Sequence, residues 1–301
     1  MSPFGERLRA GPPLLLDGGM GTMLMARGLP AGVAPELWNV ERPDDVRAVH
    51  AAYVEAGADG VHTNTFGANP ERLAKHGLAD RLEELIVAGV RAARLSGATW
   101  VLGDVGPSGV YLPPVGTATP EAWREGFERQ GRALVEAGVD ALHIETMSDR
   151  REALAALEAL TAVAPGVPVM VSLTYDRKKR GFFTAFGDSP GVAAAELLSA
   201  GAAAVGANCS LSSRDMGGLA EELLGAAEGP TLFQPNAGRP EATAEGVRYD
   251  QSPEEFAAEV ASIASLGAAA VGGCCGTDPA FIRALRALLP SSVPAGEEGE
   301  P

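Results

Sequence analysis

One phrase of sequence occurs four times with variations, and it constrains the fold more than any other feature. Its copies are EAGADGVHTNTF (55–66), EAGVDALHIETM (136–147), SAGAAAVGANCS (199–210) and SLGAAAVGGCCG (265–276). Each begins where an Ala/Glu/Arg-rich helical segment ends and passes through a glycine suited to a helix C-cap. A short apolar segment and a polar or glycine-rich loop follow. This pattern predicts a repeating β/α unit.

Four further apolar segments complete a set of eight predicted strands. They are LLLDGGMG (14–21), WVLGDVGPSG (100–109), PVMVSLTYD (168–176) and TLFQPNAG (231–238). Segments with apolar residues at helical spacing separate and follow the strands, at 43–56, 70–96, 119–138, 149–163, 190–201, 215–227, 253–266 and 278–289. Eight such units predict a single-domain α/β fold, a (β/α)8 TIM barrel, over residues 14–289.

An open, doubly wound α/β sheet is the alternative architecture. That fold would place a G-x-G-x-x-G turn after the first strand, with an acidic residue about 20 residues further on. The first predicted strand lacks this turn, so the barrel is favoured. Residues 1–13 are predicted to form an N-terminal extension, and the Pro/Gly/Glu-rich segment 290–301 a disordered tail.

Charge and hydropathy exclude several classes of protein to which the chain could belong. The chain has 24 Lys and Arg against 39 Asp and Glu, a net charge of −15. Such a surface repels phosphate backbones, so nucleic acid is not expected as a partner. No uninterrupted apolar run has membrane-spanning length, and the charged, proline-containing N-terminus lacks the apolar core of a secretion signal. We therefore expect no membrane partner and a cytoplasmic location.

Polar and glycine residues are concentrated where the predicted strands end, which is the catalytic face of a (β/α)8 barrel. In chain order they are Asp17, Gly18 and Gly19, then Thr63, Asn64 and Thr65, then Asp104 and Ser108, Glu145 and Thr146, Asn208 and Cys209, Gln234 and Asn236, and finally Cys274 and Cys275. All three cysteines of the chain thus lie on the sixth and eighth strands, which flank the seventh.

Three converging cysteines could be inert buried thiols, could include a nucleophile, or could bind a metal. An odd number of cysteines in a reducing compartment does not indicate a disulfide framework. Thiolates suit Zn²⁺, which they bind at about 2.3 Å, and the neighbouring glycines let the chain turn sharply enough to converge the sulfurs. We therefore predict zinc on Cys209, Cys274 and Cys275, with a fourth position open as in catalytic zinc sites.

Short motifs spread along the chain resemble those of the homocysteine S-methyltransferase family. They are DGGMGT (17–22), ELWN (36–39), TNTF (63–66), GDVGPSG (103–109), IET (144–146), GANC (206–209), PNAG (235–238) and GGCCGT (272–277). The similarity runs from about Leu14 to Leu289. It implies a (β/α)8 barrel that holds zinc on three cysteines and transfers a methyl group to the thiol of homocysteine, giving methionine.

Acidic and glycine residues at the strand ends suit the two charged groups of homocysteine. Asp17 and Glu145 match acidic residues of the family's substrate pocket, and we predict that they bind the ammonium group. The α-carboxylate is predicted to lie on backbone N–H groups of a glycine-rich loop, either at Gly18 and Gly19 or within 106–109.

Four more polar residues complete the predicted site. Thr65 and Ser108 are assigned to the substrate through their hydroxyl groups, with hydrogen bonding inside the loops as the alternative. Asn208 joins the pocket because it precedes Cys209. Asn236, at the end of the seventh strand, is predicted as the resting fourth zinc ligand, since a thiolate could displace its neutral amide oxygen. Hydrogen bonding within PNAG is the alternative for Asn236.

The methyl donor is left open by the sequence. Betaine-using relatives hold the quaternary ammonium group with tyrosines, at positions that correspond to Gly67 and Thr146 here, so betaine is disfavoured. The expected donors are S-methylmethionine, or methylcobalamin and methyltetrahydrofolate supplied through separate modules. The second case implies a methylcobalamin-carrying protein as a partner.

Three other functions stay open at this point. One is a betaine-type homocysteine methyltransferase, and another is a non-catalytic zinc- or thiol-binding barrel. The third is a different zinc barrel enzyme, such as an aldolase or a hydrolase. Enzymes of that third kind usually need His and carboxylate ligands, and no histidine lies at a matching strand end.

Overall fold

The computed structural model describes residues 2–243 and 246–290. Its strands are β1 (Leu14–Leu15), β2 (Gly60–His62), β3 (Trp100–Val105), β4 (Ala141–Met147), β5 (Val169–Leu173), β6 (Asp176–Lys178), β7 (Gly181–Phe183), β8 (Ala204–Ser212), β9 (Thr231–Asn236), β10 (Pro240–Thr243), β11 (Gly246–Tyr249) and β12 (Ala270–Val271). The predicted disordered tail, 290–301, lies outside the described residues apart from Pro290.

Eight of these strands form one parallel sheet in the order β1-β12-β9-β8-β5-β4-β3-β2. A parallel bridge between Leu16 and Gly60 joins the first strand to the last and closes the sheet. The predicted (β/α)8 barrel is therefore confirmed, and the open doubly wound sheet is excluded. The remaining strands form two antiparallel hairpins, β6–β7 and β10–β11, which follow β5 and β9.

The helices surround the barrel. They are α1 (Pro3–Arg9), α2 (Met20–Ala26), α3 (Trp38–Glu41), α4 (Pro43–Glu55), α5 (Pro70–Ala74), α6 (Leu82–Arg94), α7 (Pro120–Glu136), α8 (Arg150–Val163), α9 (Pro190–Ser199), α10 (Ser213–Ala226), α11 (Pro253–Ser265) and α12 (Pro279–Leu288). Local sequence sets their starts: Ser252 and Glu255 form a capping box at α11, and Thr119 caps α7 ahead of Pro120. Among the described helices, none has the length and apolar character needed to cross a bilayer.

The barrel interior is apolar at its N-terminal end and polar at its C-terminal end. Leu14, Leu16 and Leu102 belong to the apolar layer, and Phe4 and Leu8 of α1 pack against it from below. Burying a phenylalanine such as Phe4 contributes roughly 1.5–3 kcal/mol. The helix therefore covers the bottom of the barrel, and the polar residues predicted for the site lie at the opposite, C-terminal mouth.

Candidate metal centre and substrate pocket

The three cysteine sulfurs lie together at the C-terminal mouth. Cys209 is part of β8, whereas Cys274 and Cys275 follow β12, and β9 lies between these strands. The Sγ atoms of Cys209 and Cys275 are 3.8 Å apart, and those of Cys274 and Cys275 are 4.0 Å apart. All three lie within 4.8 Å of one another. The structure thus brings together the three residues predicted to bind metal.

Unusual backbone conformations turn the thiols toward one another. Cys209 and Ser210 are left-handed, with φ of 58° and 53°, and β8 shifts its register against β9 in the same segment. Each such non-glycine conformation costs on the order of 1–3 kcal/mol, so surrounding contacts must hold it. Gly276 has φ of 81°, and a Cβ there would lie 2.3 Å from the Tyr249 ring. Only glycine suits that position.

Hydrogen bonds fix the loop that carries the adjacent cysteines. The Cys274 N–H donates to the carbonyl of Pro235 at 2.8 Å, and the Ala237 N–H donates to the carbonyl of Cys275 at 3.0 Å. The Thr277 hydroxyl donates to the Cys274 carbonyl at 2.7 Å. The end of β9 therefore positions both thiols of the β12 loop.

The thiols also change one another's acidity. Hydrogen bonds from Cys274 and Cys275 lower the pKa of Cys209 to about 3. The same contacts with Cys209 raise the pKa of Cys275 to about 12 and raise that of Cys274. The cluster therefore stabilises a thiolate at Cys209, and the thiolate is the form of cysteine that binds metals.

This donor set fits Zn²⁺. A tetrahedral zinc with Zn–S bonds of about 2.3 Å places its sulfurs roughly 3.8 Å apart, close to the separations observed. Asn236 lies beside the cluster, and its side chain hydrogen-bonds Cys209. Its Oδ1 atom is buried and has no hydrogen-bond partner within 2–243 and 246–290. A buried acceptor left unpaired is costly, and a metal ion would satisfy it.

Glu145, Thr146 and Asn208 form a polar group next to the thiols. Asn208 Nδ2 donates to Glu145 Oε2 and, at 2.8 Å, to Thr146 Oγ1. Asn208 Oδ1 accepts from the Thr146 N–H at 2.8 Å, and Nδ2 lies 3.8 Å from Cys274 Sγ. Asn208 therefore fixes the Glu145 carboxylate and connects it to the cysteine cluster.

Asp17 faces the same interior from the loop after β1. Its Oδ1 lies 2.6 Å from His62 Nδ1, and its Oδ2 accepts the His62 N–H at 2.9 Å. Asp104 is also buried. Burial, followed by repulsion from Glu145, raises the pKa of Asp104 well above its ordinary value, and burial likewise raises the pKa of Glu145. The buried carboxyl groups of Asp17 and Asp104 and the partly buried one of Glu145 face one pocket, which suits a cation.

Other predicted pocket residues already have partners inside the protein. Thr65 is fully buried, and its hydroxyl donates to a β3 carbonyl at 2.8 Å. Ser108 donates to the Glu152 carboxylate from its amide at 2.7 Å and from its hydroxyl at 2.5 Å. The Gly19 N–H donates to Thr277 at 3.2 Å. These contacts favour loop support, so substrate binding by these residues, and by neighbouring Gly18, stays a prediction.

A sequence profile of the homocysteine S-methyltransferase family matches residues 14–289. The chain belongs to the homocysteine S-methyltransferase family. Methionine synthase of Mycobacterium tuberculosis is 34% identical over 294 residues, covering 91% of this family member but 24% of that protein. Methionine synthase of Mycobacterium leprae is 33% identical over 306 residues, covering 93% and 25%. The chain therefore spans about a quarter of the length of these relatives.

A solved homocysteine methyltransferase structure is similar over nearly its whole length. It is MmuM from Escherichia coli in its metallated form, which matches this homocysteine S-methyltransferase family member with a TM-score of 0.76 and 29% identity. The match covers 92% of this chain and 96% of MmuM. The resemblance seen in the short sequence motifs is thus confirmed at the level of the family and the fold.

Sequence patterns gave no role to several polar residues of this family member's pocket. His62, His143 and Ser172 form a buried hydrogen-bonded series, and Tyr249 lies against the cysteine loop. A signal for the histidines was available, because His62 and His143 occupy equivalent places in two copies of the repeated phrase. No comparable pattern marks Ser172.

Proposed function

We propose that this protein transfers a methyl group to the thiol of homocysteine, giving methionine, with zinc held by Cys209, Cys274 and Cys275. The observation that carries the proposal is the cluster of three thiols beside the partly buried Glu145 at the barrel mouth. Family membership and the metallated form of MmuM support it. A reducing, cytoplasmic compartment suits it too, because neighbouring thiols are prone to oxidation elsewhere.

Different side chains of the pocket bind the two ends of homocysteine, its thiol and its ammonium group. Zinc in this site would supply one effect, which is to keep the thiol of homocysteine deprotonated at neutral pH. Glu145 accepts hydrogen bonds from the ammonium group, and Asn208 holds the carboxylate of Glu145 in place. Because both ends of the substrate are fixed, the sulfur is oriented for attack on the incoming methyl group.

The donor decides which kind of methyltransferase this is. We expect zinc-loaded protein to form methionine from homocysteine with S-methylmethionine or methylcobalamin, and to use betaine negligibly. Neither position where betaine-using relatives carry tyrosines offers an aromatic ring. A Cβ at Gly67 would lie 2.8 Å from Glu36 Oε1, and Thr146 is bonded to Asn208. Methionine is measured with each donor in turn, and chelator-treated protein before and after zinc is restored serves as the control.

Two results of the donor experiment would count against the proposal in different ways. Efficient turnover of betaine would show that a quaternary ammonium group is bound without those tyrosines. Stoichiometric zinc without turnover of any donor would favour a non-catalytic zinc-binding barrel.

Asn236 is proposed as the fourth ligand when homocysteine is absent, because its Oδ1 is buried beside the thiols without a partner in the described structure. A crystal structure of the zinc-loaded, substrate-free protein is expected to show Oδ1 at roughly 2.0–2.2 Å from the metal. The corresponding structure with homocysteine should show sulfur in its place. An Oδ1–Zn distance beyond about 3 Å without substrate would contradict the assignment.

A further inference from the structure

Four buried polar side chains form a continuous series across the barrel interior. His62 Nδ1 lies 2.6 Å from Asp17 Oδ1, and His62 Nε2 lies 2.8 Å from His143 Nδ1. His143 Nε2 lies 2.8 Å from Ser172 Oγ. The series runs from the loop after β1 through β2 and β4 to β5, and all four residues are buried. We call it the histidine chain.

The histidine chain permits two proton arrangements. In the charged one, His62 is an imidazolium that donates to Asp17 and to His143 Nδ1, and His143 donates from Nε2 to Ser172. In the neutral one, His62 keeps only its Nδ1 proton, His143 donates from Nδ1 to His62, and the Ser172 hydroxyl donates to His143 Nε2. The arrangements differ by one proton, and each gives every ring nitrogen a partner.

The surroundings of His62 favour the charged arrangement in the free protein. The titratable groups that interact with it are Asp17 after β1, His143 and Glu145 on β4, and His50 on α4, and Asp104 on β3 interacts with Asp17 and Glu145 in turn. Burial lowers the pKa of His62, but attraction to Asp17 and Glu145 outweighs burial, so the pKa is raised. Burial lowers the pKa of His50 to about 4 and that of His143 well below its ordinary value. Among these groups, His62 is the cation.

We propose that His62 carries a second ring proton, as an imidazolium, in the free protein and releases that proton to solvent when the ammonium group of homocysteine binds beside Asp17 and Glu145. The inference rests on the proposed function, because it takes the ammonium group to bind these carboxylates. Imidazolium and ammonium would then share the buried carboxylate of Asp17, and two adjacent cations in a poorly solvated pocket repel each other. The cation of the substrate therefore replaces the cation of the protein.

When His62 loses its proton, the rest of the histidine chain changes its hydrogen bonds to match. The side chain of His62 is 9% exposed, which leaves part of it accessible to the solvent that takes up the proton. His143 then changes from the Nε2–H to the Nδ1–H tautomer, and the hydroxyl of Ser172 turns to donate. Because binding releases a proton, affinity falls by up to about tenfold per pH unit below the pKa of His62 in the free protein, and levels off above it.

Nuclear magnetic resonance of zinc-loaded protein labelled at its histidine nitrogens tests the tautomers directly. The chain has four histidines, so the spectrum is tractable. The probe is L-methionine, which carries the same ammonium group but no thiol proton. We expect imidazolium at His62 and Nε2–H at His143 without ligand, and Nδ1–H at both when methionine is saturating. Unchanged tautomers in the presence of bound methionine would overturn the proposal.

Calorimetry of L-methionine binding in buffers of different ionisation enthalpy counts the released protons. At a pH below the pKa of His62 in the free protein, we expect the release of about one proton for each methionine bound. His143→Phe removes the acceptor of the His62 Nε2 proton and should abolish both the release and the pH dependence of affinity. His50→Phe is the matched control, since no hydrogen bond satisfies the ring nitrogens of this buried histidine within the described residues, and it should retain both.

The possible outcomes separate this inference from the proposed function. Methionine binding without proton release from the wild-type protein overturns the inference alone. Failure of both methionine and homocysteine to bind the zinc-loaded protein overturns the proposed function, and the inference with it. If His143→Phe does not fold, the spectra of the wild-type protein still decide the question.

Discussion

Replacing Cys209, Cys274 or Cys275 with alanine is expected to remove nearly all bound zinc and all measurable methionine formation. Each variant leaves two thiols where the geometry provides three within 4.8 Å. Loss of a residue that only supports a metal ligand typically costs 10–100-fold in affinity or activity, so loss of a ligand should cost more than about 100-fold. Zinc is measured by elemental analysis and methionine by chromatography on the same samples.

Ser210→Ala is the matched control for these variants. Ser210 follows Cys209 in the chain and has the same left-handed backbone conformation. The substitution removes only the hydrogen bond of 2.9 Å that the Ser210 hydroxyl donates to the carbonyl of Tyr175. The variant should retain zinc and most of its activity. Circular dichroism should show a folded barrel throughout, because the cysteines lie at the mouth rather than in the core. A cysteine variant that keeps full zinc would remove that cysteine from the ligand set.

The closed barrel could be predicted because its signal is local and repeated. Each β/α unit has the same succession of amphipathic helix, glycine and short apolar strand. A misplaced boundary in one unit therefore does not change the predicted number of strands. Boundaries were less predictable. The segment 70–96 was predicted as one helix, yet Gly77, with φ of 69°, follows α5 and the chain restarts at α6. β1 has two residues where 14–21 is predicted, because the Asp17 carbonyl accepts the Gly273 N–H and the Gly19 N–H donates to Thr277, both in the loop after β12.

Convergence of the cysteines was predictable from strand order alone. In a closed parallel barrel, the sixth and eighth strands flank the seventh, so their C-terminal ends meet. The partners of individual hydroxyl groups were not predictable, since they depend on side chains brought close by the closure of the sheet. The N–H and the hydroxyl of Ser108 both donate to the carboxylate of Glu152, which lies 44 residues further along the chain. The contact between His62 and His143 spans 81 residues and depends on both side chains pointing inward.

Glu145→Gln is expected to weaken productive homocysteine binding by roughly 10- to 150-fold, seen as a fall in kcat/KM, while zinc is retained. The estimate follows from roughly 1.5–3 kcal/mol for a hydrogen bond to a charged group. Glutamine keeps the shape of the side chain and an oxygen that can accept from Asn208, but it lacks the negative charge that attracts the ammonium group. The measurement is steady-state kinetics with homocysteine varied at a saturating level of the preferred donor.

Glu152→Gln provides the matched control, because Glu152 is a glutamate near the mouth whose buried carboxylate accepts hydrogen bonds from Ser108 in the loop after β3. Its kcat/KM should stay close to that of the wild type.

The charge of Glu145 also gives the reaction a pH dependence of known sign. Burial raises the pKa of Glu145, so acidification protonates it and weakens homocysteine binding by the wild-type protein, whereas the glutamine variant lacks this contribution and keeps only that of His62. If Glu145→Gln keeps wild-type kinetics with its zinc in place, then Glu145 only supports the loop and Asp17 alone must bind the ammonium group.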